Sequence, residues 1–202
     1  MSWLLKALAT GAVSFVATNI DDIFVLALFF GQTGKRGLRR WHIVAGQYIG
    51  FAALVAISLV GYFVRFIIPA AWIGLLGLLP IAMGVRAFVR GHQGNEEDLD
   101  ARAGTGILPV AAVTFANGGD NIGIYTPLFA ASERGELLVI VTAFFVLVGL
   151  WCVLGKLIGN HTAVKKSLDR YGHIIVPFVL IGLGIYIIVE SGTLHLLGFG
   201  RT

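Results

Sequence analysis

Three aspartates stand in stretches that otherwise carry few charges: Asp21 and Asp22 in Thr18-Asn19-Ile20-Asp21-Asp22-Ile23, and Asp120 in Asn117-Gly118-Gly119-Asp120-Asn121. If these stretches are membrane helices, an ionised Asp at the centre costs roughly 2.5–3.5 kcal/mol, and three cost on the order of 8–10 kcal/mol when nothing compensates. The compensation on offer is a cation, a proton on one or more carboxylates, or hydrogen bonds from Thr18, Asn19, Asn117 and Asn121. Asp21 and Asp22 are about 100° apart on a regular helix, so one can face a pathway while the other turns to a neighbouring helix. At least one is expected to be a direct ligand. Gly118-Gly119 weakens the helix just before Asp120, and Pro127 cannot donate to the carbonyl of Gly123. Carbonyl oxygens freed in this way can join carboxylates and amides around a cation. Such a hard, oxygen-rich set suits Mg, Ca or Mn, or zinc with fewer ligands. Hydrogen-bonded glue between helices is the competing explanation, but that glue is usually Ser, Thr, Asn or Gln.

The elements that must hold these residues are apolar. The 202 residues are 57% hydrophobic and 13% charged, with a mean hydropathy of +0.86, whereas soluble domains are about 25% charged. A membrane helix needs about 20 mostly apolar residues. Six runs qualify: Leu4–Phe30, Trp41–Val64, Ile67–Val89, Ile107–Ala131, Leu137–Ile158 and Ile174–Leu197. They leave no room for a separate soluble catalytic domain. The first run continues past the usual length of a signal-peptide core and is expected to stay as the first span. The one cysteine, Cys152, excludes an intramolecular disulfide and any multi-cysteine metal site.

Eleven of the 15 Lys and Arg flank the same face, in the links after spans one, three and five; Lys6, Arg65, Arg134 and Arg201 flank the other. The positive-inside rule then puts both termini outside the plasma (inner) membrane and the basic loops in the cytoplasm. The net charge of +4 is therefore a statement about topology, and no nucleic-acid partner is implied. Residues 91–104 form the one long polar stretch, a cytoplasmic linker between residues 1–90 and 105–202, each with three spans in a single membrane domain. An odd number of spans per half forces opposite orientations. At an offset of 99, Asp21 falls on Asp120, Asp22 on Asn121, Ile23 on Ile122 and Phe30 on Phe129. The expected fold is thus an all-α polytopic membrane protein of six transmembrane helices, arranged as two inverted three-helix repeats. In such transporters the substrate site lies at the midplane between repeats.

Ala17–Phe30 (ATNIDDIFVLALFF) and Phe115–Phe129 (FANGGDNIGIYTPLF) resemble the two signature segments of the bacterial cadmium-resistance transporters, a branch of the lysine-exporter superfamily. The likeness extends over the chain in length, six-span layout and central polar link. It implies export of divalent heavy-metal cations, cadmium and zinc, rather than enzymatic activity. It also implies an ion site built from both segments: Asn19, Asp21, Asp22, Asn117, Asp120 and Asn121. The metal is then cargo, no cofactor is expected, and the partners are the cation and the bilayer, with the oligomeric state left open between a single copy and a homo-oligomer. Cadmium is soft and favours thiolates, yet neither segment contains Cys, His or Met. An oxygen-rich site can still pass cadmium, because a carrier needs ready release, and manganese or calcium would then be alternative cargo. Proton coupling is expected from the cost of leaving three empty aspartates ionised.

Two further functions compete. Export of a basic amino acid such as lysine would pair its ammonium with Asp21 or Asp120, but its carboxylate needs a midspan base and there is none. An intramembrane aspartyl protease would use two aspartates for acid–base hydrolysis, but those enzymes resemble one another in Tyr-Asp and Gly-x-Gly-Asp motifs, which Ile20-Asp21 and Gly118-Gly119-Asp120 do not match. Gly46-Gln-Tyr-Ile-Gly50 and Gly155-Lys-Leu-Ile-Gly159 have the small-xxx-small spacing of close helix approach, with Gln47 a candidate for the pathway. Cys152 is assigned to packing. The linker carboxylates Glu96, Glu97, Asp98 and Asp100 are assigned to a solvated segment, and Glu190 to the outer interface.

Overall fold

The computed structural model describes residues 2–20, 22–34, 37–64, 66–67, 69–90, 106–158, 177–191 and 193. Asp21, the linker 91–104 and the basic link between spans five and six lie outside the described residues. All regular structure among the described residues is helical. The helices are α1 (Ser2–Asn19), α2 (Asp22–Gly31), α3 (Arg40–Ser58), α4 (Val60–Val64), α5 (Ala70–Ile73), α6 (Leu78–Arg90), α7 (Ile107–Asn117), α8 (Gly119–Ala131), α9 (Arg134–Ile158) and α10 (Pro177–Glu190). A 3-10 turn, Gly74–Gly77, joins α5 to α6.

Two stretches of 25 residues, Arg40–Val64 and Arg134–Ile158, are long and apolar enough to cross a membrane. At about 1.5 Å per residue each exceeds the roughly 30 Å hydrocarbon core. The pair α1 and α2 meets the same criterion as one broken span, bent by 61°. The other three expected spans contain shorter apolar helices, Gly74–Arg86, Ile107–Asn117 and Pro177–Glu190. The structure thus departs from six uninterrupted helices, and local causes are identifiable. Pro80 has no N–H for the carbonyl of Leu76, which lies in the 3-10 turn. Gly118, with φ −84° and ψ 23°, ends α7 and opens α8. Pro127, by contrast, is carried inside α8 without a break.

The packing crosses the two halves. Helices α1 and α2 lie along α9, while α7 and α8 lie along α3 and α4. Glycines set the closest approaches: Gly46 and Gly50 of α3 meet Val110, the Ala111 carbonyl and Thr114 of α7, and Gly155 of α9 meets Leu26 of α2. Gly84 of α6 meets Pro177 and Leu180 of α10. Side chains at those glycines would collide with backbone or Cβ atoms, the situation that small residues solve in membrane helices. The core between the crossed pairs is aromatic. Phe15 lies 5.5 Å from Phe51 and 5.1 Å from Trp151, and Tyr125 lies 4.5 Å from Phe144, ring centroid to ring centroid. At the N-terminal end of α1, Lys6 pairs with Glu190 of α10 at 2.8 Å, and both side chains are about 42% exposed. Glu190 therefore has a partner at the protein surface.

Candidate functional site

The breaks between α1 and α2 and between α7 and α8 place polar residues against one another beside the aromatic core. Both breaks are followed by an acidic first turn, Asp22 in α2 and Asp120 in α8. The first turn of a helix presents free N–H groups and the positive end of its dipole, so a carboxylate there is stabilised.

Asp22 is 3% exposed. Its Oδ1 accepts from Asn117 Nδ2 at 2.6 Å and its Oδ2 accepts from Gln47 Nε2 at 3.1 Å. The Gln47 amide is oriented in turn by Thr114, whose hydroxyl donates to Oε1 at 2.7 Å. Three spans thus converge on one carboxylate through charge-assisted hydrogen bonds, the strong class.

A second layer lies around Asn19. Its Nδ2 donates to the Phe15 carbonyl, to Thr18 Oγ1 and to the Tyr125 hydroxyl, each at 2.8 Å. Thr18 and Tyr125 hydroxyls lie 2.7 Å apart. Asn19 Oδ1 accepts from Asn121 Nδ2 at 3.2 Å. At the end of α1 the Asn19 carbonyl accepts from Trp151 Nε1 of α9 at 2.6 Å. A backbone acceptor freed by a break at membrane depth must find a donor in the protein, and Trp151 supplies it. The break in span one, which contains neither Gly nor Pro at residues 18–23, is therefore held from outside.

Asn121 is 1% exposed, and its Oδ1 has no hydrogen-bond partner. Orphaned buried acceptors are rare, and each costs about 1–3 kcal/mol. A cation drawn to this oxygen would remove that penalty. Asp120 Oδ1 accepts from the Asn121 backbone N–H at 3.0 Å, which ties the second carboxylate to the same turn. Asp22 and Asp120 are both near enough to the Tyr125 hydroxyl to act on it electrostatically. Among the described residues no group of three His, Cys, Asp or Glu side chains is gathered. The donors are two carboxylates with amide, hydroxyl and carbonyl oxygens, a hard set.

Of the six residues singled out from sequence, Asp22 and Asn117 enter the first cluster, Asn19 and Asn121 the second, Asp120 adjoins the second, and Asp21 lies outside the described residues. Gln47, a pathway candidate, bonds directly to Asp22. Thr114, Tyr125 and Trp151 were not singled out. Thr114 is three residues before Asn117 and Tyr125 four after Asn121, the helical spacings that share a face, so both were findable. Trp151 carries no such signal. Cys152 is buried in the core at 5% exposure.

Tyr125→Phe removes the hydroxyl shared by Thr18 and Asn19. It should lower stability by about 1–2 kcal/mol, which thermal unfolding of the purified protein would register as a drop of about 2–8 °C. An unchanged transition temperature would show that the hydroxyl contributes nothing.

The family model for cadmium resistance transporters matches residues 15–199. No curated protein and no solved structure matches the chain.

Proposed function

The chain belongs to the cadmium resistance transporter family, and from that premise we propose that it exports divalent cations, cadmium first and zinc with it, through a site between the two helix breaks. One observation carries the reading. A carboxylate, Asp22, and an orphaned amide oxygen, on Asn121, are buried in two polar clusters at the places where, among the described residues, apolar helices are broken beside acidic turns. Asp22, Asp120, Asn19 and Asn121 supply oxygens to the cation, with Asp21, adjacent to Asp22 in sequence, as a further ligand. Asn117 and Gln47 orient Asp22.

The crossed packing supports the two-half architecture. Exchanging spans one and four, and two and five, turns the contact of α1 and α2 on α9 into that of α7 and α8 on α3 and α4. An inverted repeat has this exchange built in, and it places the two breaks at the shared interface. Basic residues on the linker side then orient that side to the cytoplasm. Release to the outside occurs when the halves rock and open the site at the end marked by the Lys6–Glu190 pair.

Proton antiport is the coupling this reading carries, with protons replacing the cation on the return step. Purified protein in liposomes should move cadmium faster when a pH gradient is imposed, and equal rates with and without the gradient would discard antiport. Asp120→Asn should lower cadmium flux by at least about tenfold, since one charge–charge contact with the cation is lost. Lysine transport with no metal transport would overturn the reading in favour of a basic amino acid.

A further inference from the structure

The hydrogen bonds on Asp22 have a direction. Thr114 donates to the oxygen of the Gln47 amide, which leaves the nitrogen of that amide to donate to Asp22 Oδ2, while Asn117 donates to Oδ1. Each oxygen of the buried carboxylate therefore already faces the positive end of an amide dipole. A dication bound to that carboxylate would sit beside those same N–H groups, and like-signed ends repel. A carboxylate can keep such bonds while it holds a metal, but where the cation takes the lone pairs that these N–H groups now occupy, one amide turns or withdraws as it arrives.

Resting on the cation-transport reading above, we propose that Gln47, held by Thr114, sets the affinity of the carrier for its cargo: its amide stands in for the cation on Asp22 in the empty state and competes with it in the loaded state. The stand-in does two things. It stabilises the ionised Asp22 while the empty carrier returns through the membrane, where an unsolvated carboxylate is most costly, and leaves the replacing protons to the other carboxylates of the site. It also weakens cation binding by the value of the bond that must be broken, which favours release. Thr114 matters because it fixes which end of the amide faces Asp22. Without its hydroxyl the Gln47 amide is free to turn its oxygen inward and become a ligand instead of a competitor.

The sign of the effect separates this role from a structural one. A residue that merely supports the site weakens binding when it is removed, whereas removing a competitor strengthens it. Cadmium titrated into purified protein should bind Gln47→Met, which keeps the bulk of the side chain without the donor, about tenfold more tightly than wild type. In proteoliposomes the same variant should show a lower KM and a lower kcat, because release slows. Thr114→Val should shift binding in the same direction, by about threefold, and it decides the matter alone if Gln47→Met does not fold. Weaker or unchanged cadmium binding by the folded variants would overturn the competitor role while leaving transport by the wild type intact. A wild-type protein that binds no cadmium would overturn the transport reading itself, and this inference with it.

Discussion

Asp22→Asn is expected to reduce cadmium flux at least about 100-fold in proteoliposomes while leaving a folded, helical protein. The carboxylate is buried, opens helix α2 and receives amide donors from two other spans. Removing one member of a buried charged pair costs about 3–5 kcal/mol, which is two to three orders of magnitude in binding. The replacement is close to isosteric, so packing changes little. An Asn in that place must, however, direct its own N–H₂ at one of two amide donors, a mismatch worth about 1–3 kcal/mol. The helical circular dichroism should survive and the unfolding temperature should fall modestly. Flux within tenfold of wild type would remove Asp22 from the ion site. Asp22→Ala, which orphans both donors, should be the less stable of the two variants.

The largest stability effect is expected at Gly50→Val. A Cβ at this position would meet the Ala111 carbonyl oxygen at 2.6 Å and Thr114 Cβ at 2.7 Å. Neither is the flexible end of a side chain, so the two helices must separate. Overpacking typically costs about 1–3 kcal/mol and more where backbone blocks relief. A loss of about 3 kcal/mol corresponds to a fall of roughly 6–12 °C in unfolding temperature. Transport should fall as well, because Thr114 is the residue that orients Gln47. Gly119 provides the contrast, since an added Cβ there meets nothing within 4 Å, and Gly119→Ala should stay within about 0.5 kcal/mol of wild type. Equal unfolding temperatures for Gly50→Val and wild type would show that α3 and α7 do not pack as closely as described.

Hydropathy alone located each apolar helix, because burial in lipid or protein demands the same apolar residues whatever the local geometry. The interruptions were only partly legible. Gly118-Gly119 announces a weak point, and the chain does change helix at Gly118. Pro127 announced another, yet α8 runs through it. The break after Asn19 has no Gly or Pro to announce it, and the donor that answers its freed carbonyl comes from α9, distant in sequence. The site was read in the same uneven way. Asp22, Asn19, Asn117 and Asn121 are conspicuous because polar residues in apolar runs are costly. Thr114 and Tyr125 look like ordinary residues of a membrane helix, and only their contacts with Gln47, Thr18 and Asn19 give them a role. The roles of Gln47 and Thr114 depend on which end of an amide faces a carboxylate, and nothing in composition or spacing encodes that.

The indole of Trp151 bonds a carbonyl 132 residues earlier in the chain. During synthesis the first span reaches the membrane with that acceptor still unanswered. At roughly 5–20 residues per second, the partner is made on the order of ten seconds later. The bond that answers the Asn19 carbonyl is thus a late event in biosynthesis, since it can form only once the fifth span is made. Until then the nascent chain carries its acidic segment without the fold that holds it. Any factor that shelters or delays the first span has that interval in which to act.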